Sequence, residues 1–464
     1  MVMTAPPISR LYEQLFRRAL FPAYESGLRR RRTLDWLADY ERDQWLDPEQ
    51  IAALQWRRLK DLIGHCHREV PYYQRTWKAL GIAPEEIRTL DDYARLPRLS
   101  KADIRENFDD LKAMSHRDSL IYKSTGGSTG EPMRFGCNRE SNDRRTAVMW
   151  RGYGWAGSRM GRRTLYLWGG AVGQPSRAHQ LKDRLYNAAF ARHMLNSFAM
   201  SETNLADYAR AIDRYRPDII VGYVGPLVKL ARWMIDTGRR VSSPHAIIGA
   251  AEALHEFQRE LIEQAFGCPV FNTYGCREFM LIAAECEQRN GLHVNADHLL
   301  VELGAPLAEN GPGEVVVTDL FNYGMPLLRY ANGDAATPSQ RACGCGRGLP
   351  LISRVDGRVL DAIRTPDGHV LPGEFFPHML KDVPGVERFQ LVQRQLDALD
   401  LSIVRGAQFN EASLAYIRRE VAKVLGASVT LRCHFVDDIA LTPSGKLRVT
   451  VSELSSAGTA GERP

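Results

Sequence analysis

Apolar residues recur at helical spacing through the first hundred positions: Leu11, Leu15, Leu20 and Phe21, then Leu54, Leu59, Leu62 and Ile63. Such spacing stacks one apolar face along successive turns and predicts a mainly helical N-terminal segment. From about residue 120 to 330 the pattern changes to short apolar runs between helical stretches. Leu165–Trp168 runs into Gly169-Gly170, while Ile219–Gly222 and Ala246–Gly249 each lead into a helical stretch. Strands alternating with helices predict an α/β sheet, and Gly313–Thr318 reads as a strand at the end of that body. After residue 355, Asp356-Gly357-Arg358 and Pro366-Asp367-Gly368 are turn signals. The strand candidates Phe389–Val392 and Leu399–Val404 and a helix over Glu411–Leu425 then make a small α+β unit. The tail Ser455–Pro464 is small and polar, and no internal repeat is visible. The expected organisation is a large domain at 1–355 with a helical N-terminal segment, a connection at 356–361, and a small domain at 362–464.

Composition narrows the function classes. With 464 residues, 44% hydrophobic and 25% charged, the chain has room for at least two ordinary globular domains. A formal net charge of +6 is mild for this size and argues against a nucleic-acid partner. Arg10, Arg17 and Arg18 interrupt the only apolar stretch near the N-terminus, so neither a secretory signal nor a membrane span is expected, and the cytoplasm is the default location. The basic run Arg29–Arg32, with the helix before it, could make weak peripheral contact with an anionic membrane. A solvated helix end is the plainer reading. Eight cysteines in so long a chain do not suggest a disulfide scaffold, and Cys66, Cys137, Cys268, Cys276 and Cys433 are scattered.

Two groups of residues carry candidate chemistry. Ser124 to Pro132 reads Ser-Thr-Gly-Gly-Ser-Thr-Gly-Glu-Pro. It lacks the Gly-Lys-Ser/Thr ending of a P-loop, because Glu131 and Pro132 follow Gly130. Successive N–H groups of small residues, with the Ser128 and Thr129 hydroxyls, could cradle an anion; a polar turn between strands is the plain alternative. The second group is Cys286 and His293 with Cys343 and Cys345. Three thiolates and an imidazole form a closed tetrahedral set suited to a structural zinc ion. Reduced structural cysteines remain the alternative, with His298 and Cys276 as substitute ligands. Such a site would staple the loop after Asp334 to the segment after Glu278.

Five further segments occur in a fixed order: Gly249-Ala250-Ala251-Glu252, Tyr274-Gly275-Cys276-Arg277-Glu278, Tyr330-Ala331-Asn332-Gly333-Asp334, Gly357-Arg358-Val359-Leu360-Asp361 and Thr442-Pro443-Ser444-Gly445-Lys446. With the loop at 124–132, this series resembles the adenylate-forming (AMP-binding) superfamily. Within it, the chain is similar to the phenylacetate-CoA ligase family and its CapK-type relatives, from Val70-Pro71-Tyr72-Tyr73 to Lys446. The resemblance implies a large multi-sheet α/β N-terminal domain and a small mobile α+β C-terminal domain. It implies ATP-dependent activation of a carboxylic acid, possibly aryl or arylacetic, to an acyl-adenylate, followed by transfer to CoA, with Mg²⁺ as cofactor.

By the same resemblance, Ser124, Thr125, Gly126, Gly127, Ser128, Thr129 and Gly130 form the triphosphate loop. Tyr274 stacks on adenine, with Gly249, Ala250, Ala251, Glu252 and Gly275 around it. Glu278 helps bind Mg²⁺, Asp334 accepts from the ribose hydroxyls, and Arg358 contacts ribose or phosphate. Lys446 reaches the carboxylate and the α-phosphate, and Asp361 is the hinge residue. Some family members carry a Cys/His zinc cluster. In much of the superfamily a lysine follows the loop's proline; here Met133 stands there, followed by Arg134. The acyl pocket is expected among Tyr166, Trp168, Tyr223, Val224 and Phe279, with room left by Gly222 and Gly225; of these, Tyr223 is the substrate candidate.

Three rival readings stay open at this point. They are adenylylation of a hydroxyl-bearing cofactor, acyl transfer to an amine or sugar in polysaccharide biosynthesis, and a non-catalytic nucleotide-binding protein. A homodimer is compatible with all of them.

Overall fold

The computed structural model describes residues 7–125, 133–169, 177–201, 203–306, 312–339, 341–358, 363–367, 370–371, 375–380, 383–426, 429–440 and 448–454. The chain divides into two compact units. The first comprises residues 1–302, 316–332 and 338–354, and the second 303–315, 333–337 and 355–464.

The N-terminal segment is helical, as its spacing predicts. Helices run over Pro7–Leu15, Thr33–Asp43, Pro48–Glu69 and Pro71–Leu80. Local chemistry sets their ends. Asp47 caps the long helix in a capping box with Gln50, Pro48 occupies its first position, and Gly81 ends the next helix in the left-handed conformation. Two strands follow, β1 (Ile121–Ser124) and β2 (Arg134–Cys137), antiparallel with Ser124 opposite Arg134. The Ser/Thr/Gly stretch therefore connects the two strands of a hairpin. Its residues 126–132, which include the predicted Gly126, Gly127, Ser128, Thr129 and Gly130, lie outside the described residues.

The body of the first unit is a parallel sheet. Strands β3 (Thr164–Trp168), β4 (Arg192–Asn196), β5 (Ile219–Tyr223), β6 (Ala246–Ala250) and β7 (Val270–Tyr274) lie side by side in the order β4-β3-β5-β6-β7. These neighbours pair in parallel, with Tyr166 opposite Val221, Gly222 opposite Gly249, and Gly249 opposite Asn272. Helices Leu205–Tyr215, Val224–Asp236 and Glu256–Phe266 pack Leu227, Leu230, Ile262 and Phe266 against Leu165, Ile220 and Ile247 on one face of that sheet. Strands β5 and β6, in the middle of this sheet, are buried throughout, which explains their nearly continuous apolar sequences.

The short strands β8 (Ala283–Glu285) and β9 (Leu292–Val294) continue the sheet antiparallel from β7. Strands β10 (Leu299–Pro306), β11 (Gly313–Asp319), β12 (Tyr330–Pro338) and β13 (Leu351–Arg358) complete its eleven-strand order.

The other face is covered by the helix Arg139–Trp155, whose buried side chains include Arg144, Arg145 and Arg151. These cations are tolerated because each is answered. Arg145 donates to Asp319 at 2.8 Å, Arg151 donates to Asn295 at 2.6 Å and pairs with Asp297, and Arg144 lies over the rings of Trp36 and Phe321. Removing one partner of such a buried pair typically costs about 3–5 kcal/mol, because the other charge is left without an answer.

In the second unit, β16 (Val386–Gln395) and β17 (Ala398–Arg405) form a hairpin flanked by β18 (Thr430–Phe435) and β19 (Thr450–Ser452). The two-residue strands β14 (Ile363–Arg364) and β15 (Val370–Leu371) pair separately. The helix Glu411–Leu425, capped by Asn410, buries Ile417, Val421 and Leu425 with Leu391, Leu399, Leu401 and Ile403. The strand and helix candidates of the α+β unit all fall within these elements.

Candidate functional site

The parallel strands β3, β5, β6 and β7 end at Trp168, Tyr223, Ala250 and Tyr274. The carboxyl ends of such strands are where open α/β sheets bind ligands. Two of the sequence motifs meet there. Tyr274 closes β7, and its hydroxyl oxygen accepts a 2.8 Å hydrogen bond from Asn332 Nδ2. Four residues later Glu278 is buried, and its Oε1 accepts from the Tyr330 hydroxyl at 3.0 Å. Tyr330 and Asn332 belong to β12, so Tyr274-Gly275-Cys276-Arg277-Glu278 is held against the start of Tyr330-Ala331-Asn332-Gly333-Asp334. Asn332 was not singled out from sequence, and only the tertiary pairing gives it a role.

Backbone geometry explains the glycine after Tyr274. A Cβ on Gly275 would stand 1.8 Å from the Met280 carbonyl oxygen, so no larger residue fits without moving the turn. The Met280 N–H closes that turn onto the Cys276 carbonyl at 2.7 Å, with Met280 itself at φ 66°. On β6, the Gly249 carbonyl accepts from Thr273 Oγ1 at 2.7 Å. Beyond the strand, Ala251 takes φ 66°, and Glu252 Oε2 accepts from the Gly225 N–H at 2.6 Å.

The loop base is closed by a reciprocal pair. The Thr125 N–H donates to the Met133 carbonyl, and the Met133 N–H to Thr125 Oγ1, each at 2.9 Å. The Met133 side chain is buried, with Sδ 4.0 Å from the Tyr330 hydroxyl. Met133 is thus a packing residue under the loop base, where a lysine would place an ammonium in the core. Arg134 lies over the Tyr122 ring, 4.0 Å from its centroid.

Among the expected pocket walls, the Trp168 and Tyr223 rings are in contact, with centroids 4.5 Å apart. Burial raises the pKa of Tyr223, with Glu252 adding to the shift and Arg277 opposing it. Tyr166 is half-buried, whereas Val224 and Phe279 are fully buried, Phe279 against Tyr330. Asp334 is buried in β12, and Arg358 ends β13. Lys446 and Asp361 lie outside the described residues.

The cysteine–histidine set converges. The donor atoms of Cys286, His293, Cys343 and Cys345 all lie within 4.8 Å of one another. Cys286 Sγ is 3.6 Å from Cys343 Sγ, and Cys345 Sγ is 3.3 Å from His293 Nε2. Zinc–sulfur bonds of about 2.3 Å at tetrahedral angles separate two sulfurs by roughly 3.8 Å, so the set has the right size. His293 Nδ1 stands 3.1 Å from the Leu349 carbonyl, a contact that assigns the ring proton to Nδ1 and leaves Nε2 for an ion. The Arg347 N–H donates to Cys345 Sγ at 3.5 Å, and burial pushes the Cys286 thiol up to about 12. His298 and Cys276 are not part of the group. His298 is buried elsewhere, its Nδ1 2.9 Å from the Tyr40 hydroxyl.

The comparisons with known proteins bear on the fold. The structure matches that of 2-hydroxyisobutyryl-CoA ligase in complex with R3-HIB-AMP with a TM-score of 0.69, at 20% identity, covering 89% of this chain and 92% of that one. The chain therefore has the fold of the adenylate-forming ligases. Residues 363–453 match the CapK C-terminal domain family. The phenylacetate-coenzyme A ligase of Thermus thermophilus is 28% identical over 76% of this chain and 81% of its own length. Protein CapK of Staphylococcus aureus is 24% identical over 87% and 90%. Over most of its length the chain is thus similar to phenylacetate-CoA ligases and to CapK.

Proposed function

We propose that the protein is an AMP-forming acid–CoA ligase. The observation that supports this most directly is the meeting of Tyr274 and Glu278 with Asn332 and Tyr330 at the carboxyl end of the parallel sheet. In the first half-reaction a carboxylate oxygen attacks the α-phosphorus of ATP. The bond to the bridging oxygen breaks, and pyrophosphate leaves with its electron pair. In the second, the CoA thiol loses its proton and attacks the acyl carbon, and AMP departs. The enzyme's task is chiefly positioning and neutralisation of phosphate charge.

In this reading Tyr274 stacks on adenine, held by Asn332 at its hydroxyl. Glu278 contributes a carboxylate for Mg²⁺, which neutralises phosphate charge when bound. Ser124 and Thr125 open the triphosphate loop that runs to Gly130. Asp334 and Arg358 serve the ribose and phosphates, Lys446 serves the carboxylate and α-phosphate, and Asp361 is the hinge. Tyr223, beside Trp168, forms part of the acyl wall, which suits an acid with an aromatic or other flat apolar body. Cys286, His293, Cys343 and Cys345 hold one structural zinc ion. All four coordination positions are then taken by protein, so the ion fastens the segment after Glu278 to the loop at 343–345 and leaves no open position for chemistry.

Pyrophosphate exchange with a panel of carboxylic acids tests the first half-reaction, and thioester formation with CoA the second. Exchange supported by an acid and lost in Lys446→Ala, with nucleotide binding retained, is the expected result. Failure of every acid contradicts the reading.

A further inference from the structure

The N-terminal segment packs on the sheet end nearest β4 by one face only. Phe16, Phe21 and Tyr24 close around Phe190, with ring centroids 5.2, 6.1 and 5.2 Å away. The Tyr12 hydroxyl donates to the Ala189 carbonyl. After Pro7–Leu15 the helix widens into π-type turns at Phe16–Leu20 and Ala23–Leu28. Beyond this cluster the segment leaves large apolar side chains open. Leu11, Leu15, Leu20 and Leu28 are 69, 52, 44 and 75% exposed. The neighbouring helix Arg177–Ala189 adds exposed Leu185 and Tyr186, and β4 adds exposed Met194.

The charges on the same segment are sorted. Its two acids are both drawn inward: Glu13 pairs with Arg162, and the buried Glu25 pairs with Arg31. The basic side chains Arg17, Arg18, Arg29 and Arg30 are all exposed, and among the described residues none of them pairs with an acid. Of the basic run, Arg31 is held by Glu25 and Asp143, and Arg32 by Asp35 and the Trp36 ring. Arg29 and Arg30 are thus the members of the run left without an acidic partner among the described residues. Open leucines on a helix whose exposed charges are exclusively positive match a bilayer surface, where apolar side chains enter the acyl boundary and arginines meet anionic headgroups.

We propose that this N-terminal helical face docks the protein peripherally on an anionic lipid bilayer. No described helix is long and apolar enough to cross a membrane, so the contact lies along the surface. This inference does not depend on the reaction assigned to the catalytic site.

The test is cosedimentation of the full chain with phosphatidylglycerol–phosphatidylcholine vesicles and with pure phosphatidylcholine vesicles. Binding is expected to the first, and to weaken as salt shortens the screening length from about 10 Å at 0.1 M to about 3 Å at 1 M. Arg17→Glu with Arg18→Glu should lower partitioning about 25-fold or more, at roughly fivefold per lost arginine. Leu11→Asp with Leu15→Asp should abolish binding, and Leu28→Asp alone should weaken it. An unchanged thermal midpoint shows that these variants are folded. No binding to anionic vesicles at low salt overturns the proposal, as does equal binding by wild type and folded variants. So does a dimer that dissociates in Leu11→Asp/Leu15→Asp without any vesicle binding, because the face is then a contact between two copies of this chain.

Discussion

The Tyr330 hydroxyl donates to Glu278 Oε1 at 3.0 Å and stands 4.0 Å from Met133 Sδ. This joins the residue after the loop's proline to the acid proposed to serve Mg²⁺. Tyr330→Phe removes the hydrogen bond and little volume, leaving a buried carboxyl short of one donor. Pyrophosphate exchange should fall roughly tenfold, consistent with the loss of one hydrogen bond to a charged group. The Mg²⁺ concentration for half-maximal rate should rise with it. An unchanged Mg²⁺ requirement would separate Tyr330 from the metal's carboxylate.

Met133 sits where the resemblance leads one to expect a lysine, and introducing that lysine should not improve this protein. Its side chain is buried, so Met133→Lys places an ammonium in the core and should destabilise the first unit by roughly 3 kcal/mol or more. Met133→Leu keeps volume and polarity and should cost less than about 1.5 kcal/mol. Denaturant midpoints of the two variants check this. A stable, more active Met133→Lys would show that the side chain turns outward to the phosphates.

Metal analysis of protein purified without chelator should find about one zinc per chain, because the four donors suit a single ion. Cys343→Ser should lose the ion and lower the thermal midpoint. Strong chelator should do the same to wild type and have little further effect on the variant. Wild-type protein free of metal would leave these residues as reduced structural cysteines.

His298 supplies a pH dependence separate from the catalytic groups. Burial lowers its pKa to about 3, from about 6.5 in the unfolded chain, so the folded protein keeps the ring neutral where the unfolded chain would protonate it. Stability from this group is therefore complete above about pH 6.5 and declines as pH falls toward 3, by up to roughly 4–5 kcal/mol. Unfolding free energies across that range should slope less in His298→Asn than in wild type. Equal slopes would place the titration elsewhere.

Much of this architecture is readable in the sequence where one local rule is enough. The helix Glu411–Leu425 has its Asn410 cap and its apolar spacing in plain view, and the parallel strands β5 and β6 announce themselves as unbroken apolar runs, whereas β4, with Arg192, His193 and Asn196, does not. The helix Arg139–Trp155 does not. Its buried face carries Arg145 and Arg151, whose partners Asp319, Asn295 and Asp297 lie more than a hundred residues away in sequence. A reading based on hydrophobic periodicity has no signal there. The same limit hid Asn332 and left Met133 unexplained, because each takes its meaning from a residue on another strand. The Cys/His set was legible because two cysteines paired across a glycine, Cys343 and Cys345, have few other uses. Their convergence, like that of Tyr274 with Asn332, needed the fold.

The central claim is that the site activates a carboxylic acid as its adenylate. Its most direct measurement is acid-dependent exchange of labelled pyrophosphate into ATP, with aryl, arylacetic and aliphatic acids supplied one at a time and CoA omitted. Exchange is expected with at least one acid, abolished by Lys446→Ala and strongly reduced by Glu278→Gln, both variants still binding ATP. Exchange that no acid supports, or that persists undiminished in Lys446→Ala, would contradict it.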